Sequence, residues 1–158
     1  MVEILAVDDA HEDLLLLERV IRKAKIVNPV HLFGDPVQLL SYLYEQPEQA
    51  EPVLLFVDLV MHPRNGVEVL RALKNHPLMR RSISVMLSGM SDVRNIRLAY
   101  EAGATTFFIK PLAVEDLENF FRAFSRYFTI LETPTGRQIE WTPGKMNPGT
   151  TSAEAHPS

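Results

Sequence analysis

Val53-Leu-Leu-Phe-Val-Asp58 is a short, unbroken apolar run that closes on a carboxylate. A strand buried on both faces need not alternate polar with apolar residues, so such a run marks a central strand of a parallel sheet. The pattern recurs on either side. Upstream, the run from Val2 to Val7 ends on two adjacent aspartates, Asp8 and Asp9; downstream, Ile83-Ser-Val-Met-Leu87 closes on Ser88 and Thr106-Phe-Phe-Ile109 closes on Lys110. Four strand-like segments therefore deliver polar groups at the same end. In sheets of this kind ligands bind beyond the carboxyl ends of the strands, where the winding reverses.

The segments between these runs have helical spacing. From about Ala10 to Lys25, Leu14, Leu17, Ile21 and Ala24 share one helix face. Asn28-Pro29 breaks the chain before a further strand, Val30-His-Leu-Phe33, and Gly34-Asp35-Pro36 opens a helix through Leu39, Leu40 and Leu43, with Asp35 as N-cap and Pro36 in the first turn. Asn65-Gly66 precedes a helix carrying Val69, Leu70 and Leu73, which His76-Pro77 ends. A fourth helix is expected from near Ser91, turning Val93, Ile96 and Tyr100 inward and stopping at Gly103. The last helix is expected to carry Leu117, Phe120, Phe121, Phe124 and Phe128 as a core stripe. Five β/α repeats with such strands imply a parallel sheet covered by helices on both faces. After about Glu132 the chain turns to Thr, Pro, Gly and polar residues without a period. Residues 1–131 are thus expected to form the domain and 132–158 a flexible tail, in which Trp141 is either a loose aromatic or docked on the domain or a partner.

Composition narrows the function classes. The 158 residues, 46% of them apolar, suffice for one sizeable core. A formal charge of −4 without a lysine and arginine block argues against nucleic acid or an acidic membrane surface, so a protein partner is expected. The absence of cysteine removes thiolate and disulfide chemistry and fits a reducing compartment. No signal-type N-terminus is present and no run reaches the roughly 18 apolar residues of a membrane span, so a cytoplasmic protein is expected.

Taken singly, Asp8, Asp9 and Asp58 are ordinary helix caps or loop residues, Ser88 a turn residue and Lys110 a surface lysine. Jointly they call for another explanation. Carboxylates at close range raise one another's pKa, so a cluster that stays ionised near neutrality usually holds a hard cation. Magnesium fits best, being held by one or two carboxylates together with phosphate oxygens. A phosphoryl group attacked by a carboxylate would then share its charge with the cation, the Lys110 ammonium and the Ser88 hydroxyl. Asp58 is the best nucleophile, because adjacent Asp8 and Asp9 suit metal binding. His11 and His62 have no partner at metal-ligand spacing and are loop residues.

The chain from about Val2 to Phe128 resembles a response-regulator receiver domain of two-component signalling. The matching pieces are Ile4-Leu-Ala-Val-Asp-Asp9, Val57-Asp-Leu-Val-Met61 with Asn65-Gly66 following, Leu87-Ser-Gly89, Ala102-Gly-Ala104 and Phe107-Phe-Ile-Lys-Pro111. The resemblance implies a doubly wound, flavodoxin-like (βα)5 domain with strand order 2-1-3-4-5. It implies Asp58 as phosphoacceptor, Asp9 as a direct and Asp8 as a water-mediated magnesium ligand, and the Val60 backbone carbonyl as a further metal contact. Ser88 and Lys110 would bind phosphoryl oxygens, the Lys110-Pro111 bond would be cis, and Phe107 would be the aromatic switch that follows Ser88. The donor would be a sensor histidine kinase or phosphotransfer protein. A narrower likeness is to the small receivers paired with bacterial phytochrome kinases.

The sequence departs from the family at the loop after Asp58, where His62 stands in the usual proline position and Pro63 follows. Val60 and Met90 are apolar where relatives carry polar side chains that help position the hydrolytic water, which suggests slow self-dephosphorylation. The residues after the last helix are too few and too polar for a DNA-binding or enzymatic domain, so output would leave through the receiver's own surface. In this family that surface is usually the face of the fourth helix, fifth strand and fifth helix, where Arg94, Arg97, Glu101 and Arg122 are candidate contacts for a downstream protein or a second copy of the chain. Two alternatives stand beside the phosphorylation switch. One is a receiver-shaped interaction module that works without phosphorylation. The other is a hydrolase with an aspartyl-phosphate intermediate, disfavoured because Asp58-Leu-Val60 lacks the second acid of Asp-x-Asp.

Overall fold

The computed structural model describes residues 1–89 and 93–144. Five parallel strands, β1 (Glu3–Val7), β2 (Val30–Phe33), β3 (Val53–Asp58), β4 (Ile83–Ser88) and β5 (Thr106–Ile109), form one sheet in the order β2-β1-β3-β4-β5. The helices are α1 (His11–Lys23), α2 (Pro36–Tyr44), α3 (Gly66–Leu73), a single turn α4 (Pro77–Arg80), α5 (Val93–Glu101) and α6 (Val114–Ala123). Every residue of β3 and β4 is buried, as their unbroken apolar runs require, while β2 is half-exposed at the sheet's edge.

Alternation along the strands divides the core in two. Ile4 and Ala6 of β1, Leu54 and Phe56 of β3, and Val85 and Leu87 of β4 face a layer containing Leu14, Leu17 and Ile21 of α1 and Leu117, Phe120 and Phe121 of α6. Leu5 and Val7, Leu55 and Val57, and Met86 face the other way, onto Leu39 and Leu43 of α2, Val69, Leu70 and Leu73 of α3, and Ala99 of α5. The doubly wound arrangement and the strand order match the expected fold.

Local chemistry sets the helix starts. The Asp35 side chain accepts from the Val37 N–H at 2.7 Å, capping α2 with Pro36 in the first turn. Asn65 and Glu68 form a capping box at α3. Gly66 follows the cap because a Cβ there would lie 2.4 Å from the Asp58 carbonyl oxygen and 2.9 Å from Met86 Sδ. The start of α3 thus rests directly on the backbone of the β3 terminus.

The fourth expected helix differs in detail. Val93 and Tyr100 of α5 point outward, at 70% and 47% exposure, and Ala99 is the buried residue on the inner face. Its expected start near Ser91 lies outside the described residues, as does Met90.

The region expected as a flexible tail contains a β-hairpin. Strands β6 (Phe128–Thr133) and β7 (Gly136–Trp141) pair antiparallel, so Phe128 belongs to a strand instead of the last helix. The hairpin is bonded to the amino-terminal end of the sheet, away from the carboxylate cluster. The wholly buried Asn28 donates to the Val2 and Ile139 carbonyls at 2.6 and 2.8 Å and accepts from the Ile139 N–H at 2.8 Å. Arg137 forms a bidentate pair with Glu118 of α6 at 2.5 and 3.2 Å. Trp141 is docked: its indole stacks on Phe128 at 4.8 Å and donates to the Pro52 carbonyl at 2.8 Å. The expected tail therefore begins no earlier than the end of β7; residues 145–158 lie outside the described part.

Candidate functional site

Asp8 and Asp9 follow β1, Asp58 ends β3, Ser88 ends β4 and Lys110 follows β5. Parallel pairing keeps these ends level: Val7 is in register with Val57, Asp58 with Leu87, and Ser88 with Ile109. The topology thus brings the polar residues to one end of the sheet.

At the centre is the Lys110 ammonium. It lies 2.6 Å from Asp58 Oδ1, 2.8 Å from Asp8 Oδ2 and 2.8 Å from Asp13 Oδ2. The Lys110 N–H donates to the Ser88 carbonyl at 2.8 Å, and the Lys110–Pro111 peptide is cis, as expected. Asp8 and Asp58 are each 5% exposed and Ser88 1%, whereas Asp9 is exposed. Asp8 also accepts from the Ala10 N–H at 2.9 Å, and Asp9 accepts from the His62 N–H at 3.1 Å, which ties the loop after β3 to the acids through backbone, not imidazole. The His62–Pro63 peptide is cis as well.

Burial dominates the electrostatics. It raises the Asp58 pKa to about 6, with the Asp8 charge adding to the rise and Lys110 only partly offsetting it. Burial likewise raises Asp8, against hydrogen bonds from Lys110 and Ala10. Desolvation works against the Lys110 charge too, but hydrogen bonds to Asp13, Asp58 and Asp8 outweigh it and hold that pKa above its ordinary value. Among the described residues one cation therefore stands against several carboxylates, and the cluster is short of positive charge.

Oxygens of Asp8, Asp9 and Asp58 all lie within 4.8 Å of one another, a spacing one cation could bridge. All three are hard oxygen donors, suited to magnesium, calcium or manganese rather than to softer metals. Val60, in the loop after β3, is 52% exposed. Phe107, in register with Met86, is half-buried against the α2/α3/α5 layer.

Asp13 was not singled out in the sequence. It lies in the first turn of α1, where an acid is ordinary because it opposes the helix dipole. The available signal was its position one helical turn beyond Asp9, on the residue before the inward-facing Leu14. A cavity of about 370 Å³ opens beside the ion cluster, lined by Asp8, Asp13, Asp58 and Lys110 at its polar end and by Leu14, Leu17, Phe56 and Leu112 among its apolar residues.

Comparison with known proteins agrees with this geometry. The family model described as the response regulator receiver domain matches residues 4–122. Response regulator Rcp1 of Synechocystis sp. is 25% identical over 135 residues, covering 84% of this chain and 90% of its own. Among solved structures, the bacteriophytochrome response regulator AtBRR has a TM-score of 0.71 at 24% identity, covering 84% of this chain and 99% of that one. A manganese-bound form of Rcp1 has a TM-score of 0.61 at 23% identity, covering 80% and 94%. With three-quarters of its length matched by that model, and with the acids, hydroxyl and lysine at the strand ends that the resemblance implied, the chain belongs to the response-regulator receiver domain family.

Proposed function

We propose that this receiver is a phosphorylation switch in which Asp58 takes a phosphoryl group from the phosphohistidine of a sensor histidine kinase or phosphotransfer protein. The observation that carries this reading is the Lys110 ammonium 2.6 Å from Asp58 Oδ1, beside the group of three carboxylates Asp8, Asp9 and Asp58. An Asp58 carboxylate oxygen attacks phosphorus, the P–N bond to the donor imidazole breaks, the imidazole keeps the electron pair and takes up a proton, and Asp58 becomes an acyl phosphate. Lys110 and Ser88 hold the phosphoryl oxygens. There is little covalent work for the protein beyond positioning and charge stabilisation, which these residues supply.

Asp8, Asp9 and Asp58, with the Val60 backbone carbonyl, would hold Mg²⁺. When bound, the ion supplies the positive charge the cluster lacks and offsets charge on the phosphoryl oxygens. The shortage of cations around Asp8 and Asp58, and the manganese in the related Rcp1, support a divalent-cation site. Ser88 and Phe107 would pass the change to the α5-β5-α6 face, where a downstream protein or a second copy of the chain binds. The chain would catalyse only its own phosphorylation and dephosphorylation, inside the cytoplasm.

Intact mass after incubation with Mg²⁺ and a small acyl phosphate tests this. The parent should gain one phosphoryl group and Asp58→Asn none. No gain in the folded parent would select instead the interaction module that works without phosphorylation.

A further inference from the structure

We infer that Asp13 is a positioning residue for phosphoryl transfer: it is the fixed acceptor that holds the Lys110 ammonium while that ammonium exchanges its contact with Asp58 for one with the phosphoryl group. The inference rests on Asp58 being the phosphoacceptor.

An ammonium has three N–H donors and no acceptor. Here three carboxylates surround it, Asp8, Asp13 and Asp58, at 2.8, 2.8 and 2.6 Å. Two of them change during the reaction. Asp58 loses its carboxylate charge when it becomes an acyl phosphate, and both Asp8 and Asp58 belong to the group of acids that can share a cation. Asp13 is outside that group, so its hold on Lys110 is the one that persists through the reaction.

Asp13 also cannot follow the lysine. It stands beside buried Leu14 on α1, a helix anchored by Leu14, Leu17 and Ile21 in the core, and its own N–H bonds to the Ala10 carbonyl at 3.0 Å. A lysine stem, in contrast, has four flexible carbons and many rotamers. The neighbouring cavity gives that stem room, yet its apolar wall of Leu14, Leu17, Phe56 and Leu112 cannot solvate a charge. Asp13, at the polar end of the same cavity, keeps the ammonium at the site. A merely structural ion pair tying α1 to the segment after β5 would instead affect stability alone, and its exposed side would make even that effect small.

The test measures the rate of Asp58 phosphorylation of the full chain by a small acyl phosphate, at saturating Mg²⁺ and varied donor, beside Mg²⁺ affinity by calorimetry and the thermal midpoint. Asp13→Asn preserves shape and removes charge; Asp13→Glu restores the carboxylate. Asp13→Asn should lower the limiting rate about tenfold, the scale of one charge-assisted hydrogen bond, while Mg²⁺ affinity stays within about twofold. Asp13→Glu should recover most of the rate. A parent-like rate in Asp13→Asn would overturn the inference, as would a rate loss matched by lost Mg²⁺ affinity, or one that Asp13→Glu leaves uncorrected. If the parent itself takes no phosphoryl group, the phosphoacceptor reading fails and this inference with it. A phosphorylated parent with an unimpaired Asp13→Asn overturns the inference alone.

Discussion

Asp58, the proposed phosphoacceptor, works against the fold that carries it. Its pKa is raised from 3.8 to about 6 chiefly by burial. Below about pH 4 the carboxyl is protonated in both folded and unfolded chains, between about 4 and 6 only the folded chain keeps the proton, and above that both are ionised. The folded state binds more protons in that window, so this group favours the fold most in acid and its contribution is lost as pH rises through about 6. In chelator at pH 7.5, Asp58→Asn should therefore raise the unfolding free energy by about 1–3 kcal/mol in urea titrations, and the gain should shrink at pH 5. A constant gain across pH would show that the charge is not its source. The same proton would compete with a cation for the carboxylate, so Mg²⁺ affinity measured by calorimetry should weaken as pH drops below about 6. Asp8, Asp9, Asp58, Ser88 and Lys110 were all legible in the sequence, because each ends or follows a strand-like run and parallel pairing carries run ends to one place. Asp13 was not, because a helix-start acid has a sufficient local explanation and its contact with Lys110 spans 97 residues.

At the scale of elements, the contrast between α3 and the hairpin explains what sequence patterning reaches. Asn65-Gly66 announces α3 by local chemistry, and the glycine also meets a tertiary demand, the 2.4 Å approach of a Cβ to the Asp58 carbonyl oxygen. Gly66→Ala should push α3 off the β3 terminus, destabilising the domain by about 1–3 kcal/mol and slowing phosphorylation in the same variant. An alanine variant with parent stability would show that the loop gives way freely. The hairpin escaped notice because its apolar content is low, although Ile139 and Trp141 alternate with Gln138 and Glu140, and Gly136 at φ +150 marks the turn. What makes it fold is remote: Asn28, read only as part of a chain break, places its whole amide on Val2 and Ile139. Asn28→Ala would strand the buried Ile139 N–H, and chemical denaturation should show a loss of about 2–4 kcal/mol. A loss below about 0.5 kcal/mol would mean that the hairpin contributes little to the cooperative unit.

At the scale of the whole molecule, the two ends of the sheet have different duties. The hairpin closes the amino-terminal end, where Phe128 and Ile139 complete the α1/α6 layer, and leaves the carboxyl-terminal end open around Lys110. The α5-β5 side leaves apolar groups uncovered: Val93, Tyr100 and Ile109 are exposed there, at 70, 47 and 42%, among the exposed charges of Arg94, Arg97 and Glu101. Apolar groups rimmed by charges are the usual composition of an interface. The misjudged direction of Val93 and Tyr100 belongs to this same fact, since the helical period finds an apolar face but cannot say whether the core or a partner covers it. Phosphorylation at Asp58 would reach this side through Ser88 and the half-buried Phe107, one strand apart. If a second copy of the chain covers this side, a symmetric dimer is the simplest arrangement. Sedimentation of the chain with Mg²⁺ and a non-hydrolysable phosphoryl mimic should therefore show a shift from monomer to dimer, absent in Asp58→Asn and abolished by Tyr100→Glu at unchanged phosphorylation rate. Dimerisation that survives Tyr100→Glu would move the interface elsewhere, and a monomer under all conditions would assign the exposed side to a different protein.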